Sequence, residues 1–280
     1  MKKQELTELI FNKKSVLCVG LDSEFEKLPL HIKNDYDKED AIFEFNKAII
    51  DATIEFAVAF KTNLAFYEAM GVHGLIALNK TVAYIRSLNK PIFIIADAKR
   101  ADIGNTSRLY ATAFFGDGKT TPDFDAVTVA PYMGKDSIAP FLAFEGKWAI
   151  LLALTSNPGA EDFQLIKTED NMQYFERVLM QSKQWGNDEN LMYVVGATRA
   201  EMLRKVRAIV PDNFLLIPGV GAQGGDLNEV LKNGWNNSGG LLINASRSII
   251  FASTGEDFAV AAHKEAKRMQ EEMSEFINQL

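Results

Sequence analysis

The sequence of 280 residues has one cysteine, three histidines and eight prolines. A lone Cys18 cannot form an internal disulfide, so the chain is expected in a reducing, cytoplasmic setting. His31, His73 and His263 fall outside every motif described below, which argues against histidine acid–base catalysis. An excess of basic charge is also lacking. Thirty Lys and Arg against 37 Asp and Glu leave a net charge of −7 and a pI of about 5.2. That balance suits neither nucleic acid nor an anionic membrane, though it accommodates a local cationic pocket for a small anion. No apolar run reaches the roughly 18 residues that a membrane helix requires. The first fifteen residues interleave Lys2, Lys3, Lys13 and Lys14 with Glu5 and Glu8 and lack the apolar stretch of a signal peptide. Leu6, Leu9 and Ile10 have helical spacing, so a short amphipathic helix is expected to open the chain.

What the chain does contain is an alternation. Short, continuously apolar runs occur at Ser15–Asp22, Val58–Thr62, Pro91–Asp97, Ala126–Ala130, Trp148–Leu154, Met192–Gly196, Phe214–Pro218 and Leu241–Asn244. Helix-like segments lie among them, near Glu39–Glu55, His73–Asn89 (Leu75, Leu78, Val82 and Ile85 on one face), Asn171–Gln184 and Arg199–Ile209. A closing helix carries a stripe of Met269, Met273, Phe276, Ile277 and Leu280. Continuously apolar strands suit a parallel sheet covered on both faces. Eight of them, with no linker or change of composition, point to a single α/β domain over residues 1–280, a (β/α)8 TIM barrel with a short N-terminal helix. The competing topology is an open doubly wound sheet. In a barrel the C-terminal strand ends share one mouth, so Asp22, Lys61, Asp97, Thr155, Ser156, Pro218 and Asn244 would converge there.

Two motifs at those ends carry chemistry. The third apolar run is followed by ADAKRADIGNTS, residues 96–107. Asp97 and Lys99 share a face in an extended chain, and Asp102 follows where the chain turns into a helix. The bland reading is capping acids beside a solvated Lys–Arg pair. With Lys61 at the end of the second run, the alternative is an array of two lysines and two aspartates. Opposite charges about 4 Å apart attract by a few kcal/mol near a protein surface, so such an array would fix an ammonium in direction. The second motif is PGVGAQGGD, residues 218–226, in which Gly219, Gly221 and Gly224 match G-x-G-x-x-G. The acid a dinucleotide site needs about 20 residues later is missing, since residues 239–244 read GGLLIN. The better reading is a glycine-rich turn whose amides face an anion. With Pro218 leading into it, Gly221, Gln223 and Gly224 would form a phosphate clamp together with Ser246 and Arg247 beyond the eighth run, at the loops where barrels often bind phosphate.

At this point the sequence resembles the orotidine 5′-phosphate decarboxylase family. The segments that carry the resemblance are VGLD (19–22), FKTN (60–63), DAKRADIGNTS (97–107), TSNPG (155–159), PGVGAQGGD (218–226) and NASRSII (244–250). They run in the family's order and span nearly the whole chain. FKTNLAFYE and the long 23–37 segment look like the longer bacterial branch. The resemblance implies formation of UMP and CO2 from orotidine 5′-phosphate without a cofactor or metal. It implies that Lys99 protonates C6 of the pyrimidine, that Asp97 lies beside the departing carboxylate, and that Lys61 braces the array and touches the ribose. Asp22 would accept from a ribose hydroxyl, Ser156 would meet the pyrimidine edge, and Gln223 and Arg247 would grip the phosphate. It further implies a homodimer in which Asp102 and Thr106 serve the partner's site. Ser246 departs from the glycine common in shorter members. Two rivals remain. One is a Mg²⁺-dependent keto-sugar-phosphate enzyme of the same superfamily, which by resemblance would carry a carboxylate where Lys61 stands. The other is a non-catalytic nucleotide-binding barrel, which would not need Lys99.

Overall fold

In the computed structural model, which describes residues 1–116, 120–196, 200–219 and 226–280, all eight apolar runs are parallel strands. They are β1 (Leu17–Gly20), β2 (Ala59–Asn63), β3 (Phe93–Arg100), β4 (Ala126–Val129), β5 (Trp148–Leu154), β6 (Leu191–Val195), β7 (Leu215–Pro218) and β8 (Leu241–Ala245). Each pairs with its sequence neighbour. The sheet closes where β8 returns to β1, with Leu17 opposite Ile243, Cys18 opposite Asn244 and Val19 opposite Ala245. Nearly every strand residue is buried, as expected when helices cover the outer face and side chains fill the inner one. Closure leaves no unpaired strand edge, and the open doubly wound alternative is thereby set aside.

The helices are α1 (Lys3–Lys13), α2 (Leu30–Asp35), α3 (Lys38–Thr53), α4 (Leu64–Glu68), α5 (Val72–Ser87), α6 (Gly104–Phe114), α7 (Lys135–Leu142), α8 (Tyr174–Ser182), α9 (Ala200–Ile209), α10 (Leu227–Gly234), α11 (Arg247–Ile250) and α12 (Phe258–Ile277). Helix α1 buries Leu6, Leu9 and Ile10 as its spacing predicts. At the N-terminal ends of the strands, Arg86 and the backbone N–H of Ile94 both donate to the buried Asp125, at 2.9 Å each, which makes that end structural.

Three expectations need correction. Leu75 is exposed, because α5 turns Gly74, Ala77, Leu78, Thr81, Val82 and Ile85 inward instead. On α12 the buried stripe is Phe258, Ala262, Ala266, Met269 and Met273, while Leu280 lies beyond the helix and is exposed. The third strand runs on through Lys99 to Arg100 rather than stopping at Asp97, because a register shift between Ala96 and Arg100 lets pairing with β4 resume at Arg100 and Val129. The long 23–37 segment has structure of its own. It holds a 3-10 turn at Phe25–Lys27 and then α2.

Candidate active site

The C-terminal strand ends surround a cavity of about 360 Å³. Asp22, Lys61, Asp97, Lys99, Ser156, Pro218, Ser246 and Arg247 all line it. Gly221, Gln223 and Gly224 lie outside the described residues. Asp102 and Thr106 are described, but they do not line the cavity of their own chain.

Four charges form the centre, and within one chain Asp22, not the expected Asp102, is the second aspartate of the array. Lys61 is almost wholly buried, with 5% of its side chain exposed, and its Nζ donates to Asp97 Oδ2 at 3.2 Å and Asp22 Oδ1 at 3.4 Å. Lys99 donates to the other oxygen of Asp97, Oδ1, at 2.6 Å, yet half of its side chain remains exposed to the cavity. Lys61 is therefore the brace and Lys99 the cation with a free side. Burial alone would favour neutral Asp97. Lys61, then Lys99 and the Thr128 hydroxyl, outweigh it and hold the carboxyl below the usual carboxylate range. For Lys61 burial again opposes charge, and Asp22 and Asp97 overcome it, raising its pKa above the ordinary lysine value. Directly beneath, burial pushes the Cys18 thiol up to about 12, so it is a neutral donor to Asn244 Oδ1 and not a nucleophile.

The backbone aims Lys99. Its φ is +49°, a left-handed conformation uncommon for a residue with a side chain. It sits within the β3 irregularity, a device that redirects a side chain from its strand position. So Asp97 and Lys99 meet, but not as the regular two-residue alternation of a flat strand. Thr128, buried in β4, holds this geometry: its hydroxyl donates to Asp97 Oδ1 and accepts from the Lys99 N–H, both at 2.9 Å. Arg100 turns away to pair with Glu68 and to cover the rings of Tyr110 and Phe114, so the Lys–Arg dipeptide is not a solvated pair.

Across the mouth, the loop after β5 is pinned at its base. Gln164 Oε1 accepts from the Thr155 N–H at 2.7 Å, and its Nε2 donates to Thr155 Oγ1 at 2.8 Å, which fixes the residue before Ser156. The Arg247 guanidinium is exposed and makes no ion pair among the described residues. Ser246 fits because it faces Gly20: a Cβ on Gly20 would lie 2.7 Å from that of Ser246, and the serine hydroxyl donates to the Gly20 carbonyl at 3.1 Å. The departure at 246 is thus absorbed by the glycine of VGLD. Asp102 is half-buried at the start of α6. Its N–H donates to Ser137 Oγ, and its carboxylate accepts from the Ile103 N–H.

The sequence reading missed Thr128, Asn63, Asn157 and the apolar wall of Leu152, Val194 and Leu216. Thr128 had a signal, as the lone polar residue in a buried run. Asn63 lies two residues past Lys61, so strand alternation points it the same way. The apolar wall is indistinguishable in sequence from core. A group of carboxylates not foreseen, Asp37, Glu39 and Asp40, sits near the N-terminus of α3; there Asp37 caps the helix, and Lys80 pairs with the other two.

Known proteins match this arrangement over the whole chain. Residues 15–262 match the family model described as "Orotidine 5'-phosphate decarboxylase / HUMPS family". The chain belongs to that family. A Phocaeicola vulgatus protein named orotidine 5′-phosphate decarboxylase is 55% identical over 279 residues, covering 100% of both chains. A Flavobacterium johnsoniae protein of the same name is 56% identical over 99% of both. Among solved structures, the OMP decarboxylase of Leishmania donovani superposes with a TM-score of 0.81 at 32% identity, covering 99% of each chain.

Proposed function

We propose that this chain decarboxylates orotidine 5′-phosphate to UMP and CO2 in pyrimidine biosynthesis, with Lys99 as the proton donor. The observation that carries the reading is the Lys99 ammonium, fixed at 2.6 Å from Asp97 and half exposed at the mouth of the barrel. As the C6–carboxylate bond breaks, its electron pair stays on C6. An ammonium held at that carbon stabilises the developing charge and then gives C6 its proton, and CO2 leaves. Asp97 flanks the departing carboxylate, and Lys61 holds the array together. Asp22 accepts from a ribose hydroxyl, Ser156 contacts the pyrimidine edge, and Arg247 and Ser246, with Pro218, Gly221, Gln223 and Gly224, hold the phosphate. Phosphate binding remote from C6 is then available to stabilise the transition state.

Lys61 within β2, facing the mouth of the barrel, favours this branch of the family over a metal-dependent one, since a cation there repels Mg²⁺. The test is UMP formation from orotidine 5′-phosphate by purified protein after chelation and dialysis. Full turnover is expected. Activity that returns only with Mg²⁺ would move the chain to the keto-sugar-phosphate enzymes, and folded protein without turnover would favour a nucleotide-binding barrel.

The working unit is a twofold homodimer in the cytoplasm, with the partner subunit's Asp102 and Thr106 completing each site. Supporting this, neither residue lines its own cavity, while Ile103, Leu109, Tyr110, Tyr132 and Met133 around α6 and the α7 entry are exposed. No described helix is long and apolar enough to cross a membrane.

A further inference from the structure

The segment FKTNLAFYE contributes more than Lys61. Six residues on, Tyr67 of α4 is 1% exposed, and its hydroxyl donates to the Leu21 carbonyl at 2.9 Å. Leu21 precedes Asp22. The residue after Asp22, Ser23, is held as well: its hydroxyl donates to Asn46 Oδ1 at 2.5 Å. Asn46, buried on α3, gives its two amide protons to Tyr67 Oη and Thr81 Oγ1, at 3.0 Å each. Thr81, on α5, passes its own proton to the Ala77 carbonyl at 2.8 Å. Every donor in this group of four is used once, so the network has one consistent arrangement of its hydrogens. A third tie, from the Leu21 N–H to the Lys61 carbonyl at 2.7 Å, leaves the backbone on either side of Asp22 little freedom.

None of these four side chains lines the cavity. They surround the one acid whose contact with Lys61 is long, 3.4 Å, and which therefore keeps acceptor capacity for a ligand. We infer that Tyr67, backed by Asn46 and Thr81, is a positioning residue that aims the Asp22 carboxylate at a ribose hydroxyl and so sets the selectivity of the site for the intact ribose. The inference rests on the reading of Asp22 as the ribose acceptor.

The experiment compares kcat/KM for orotidine 5′-phosphate with that for its 2′-deoxy and 3′-deoxy analogues. Asp22→Ala first identifies the hydroxyl, as the one whose removal no longer matters in that variant. Tyr67→Phe should then lower selectivity for the same hydroxyl by about tenfold, the loss that goes with one misdirected hydrogen bond. Rates on the matching deoxy analogue should change far less. Ser23→Ala, a smaller deletion in the same network, should shift the ratio in the same direction and serves if Tyr67→Phe does not fold. Tyr193→Phe is the matched control, since it removes a buried hydroxyl bonded to Ser182 on the β6 side of the barrel and should leave the ratio unchanged. If Tyr67→Phe and Ser23→Ala slow the ribosyl and deoxyribosyl substrates by one common factor while Asp22→Ala still discriminates, the positioning role is wrong and the reading of Asp22 stands. If Asp22→Ala slows all three substrates equally, both fall.

Discussion

Lys99 holds a backbone conformation that costs a residue with a side chain on the order of 1 kcal/mol, and Thr128 pins it there from the neighbouring strand. Strain of this kind persists where the surroundings over-determine it, and here it directs an ammonium into a cavity. Lys99→Ala should reduce decarboxylation by about 10³-fold or more, combining the loss of a proton donor with that of a positioned charge. Circular dichroism and thermal melting should show the variant folded; near-normal turnover would remove Lys99 from the chemistry. Arg247 poses the opposite case, being exposed on the same cavity without an ion pair to the array among the described residues. Arg247→Ala should mainly raise KM for orotidine 5′-phosphate. Phosphate-free orotidine, turned over slowly, should not notice the change. Equal losses on both substrates would show that the arginine does not meet the phosphate.

At the scale of elements, the array couples β1, β2 and β3 through charge, and its pH dependence follows from two shifts of opposite sign. Asp97 is held below its unfolded value, so its contribution is complete above about pH 4 and is lost as pH falls through its lowered folded pKa. Lys61 is held above its unfolded value, so its contribution is complete below about pH 10 and is lost as pH rises through its raised folded pKa. The array's contribution to stability should therefore be constant between those limits, and Asp97→Asn should flatten the acid side of the curve of melting temperature against pH. The packing of α4 on α5 gives a second expectation. A Cβ on Gly74 would lie 1.9 Å from the Tyr67 carbonyl oxygen, so Gly74→Ala must separate the two helices. Unfolding by denaturant should register a loss of about 1–3 kcal/mol, the usual cost of overpacking.

Elements also show what the sequence could and could not convey. The strands were legible to within two residues, except that β3 ends three residues past Asp97, because buried parallel strands are apolar on both faces. Helices α7 and α10 gave little signal: each is eight residues long, α7 contains Pro140, and α10 ends at Gly234. That Asp22, Lys61 and Asp97 share one mouth could be read from pattern alone, although Lys61 and Asp97 lie within β2 and β3 rather than at their ends. That Lys99 is the half-exposed cation depends on a register shift between β3 and β4, which no local pattern encodes. The ties around Asp22 were unreadable for another reason. They join residues 21, 23, 46, 67 and 81, each unremarkable in its own helix or loop.

For the whole molecule, the proposed shared-site dimer yields a test by complementation. Lys99→Ala and Asp102→Ala dimers should each be severely impaired. After dissociation and random reassembly of equal amounts, half of the dimers are mixed, and about one quarter of all sites recover both groups. Confirmed exchange of tagged subunits without a rise in UMP formation would return Asp102 to its own chain. The seam between β1 and β8 has a further consequence, for synthesis of the protein. Asp22 follows the first strand and Arg247 the last, yet closure sets them around one cavity. A ribosome thus makes the charged centre early and completes the proposed phosphate grip, begun at residues 218–224, only after the eighth strand. A product cut short before residue 241 has Asp22, Lys61, Asp97 and Lys99 but lacks Ser246 and Arg247, so abortive translation leaves no fragment able to compete with the finished enzyme for its substrate.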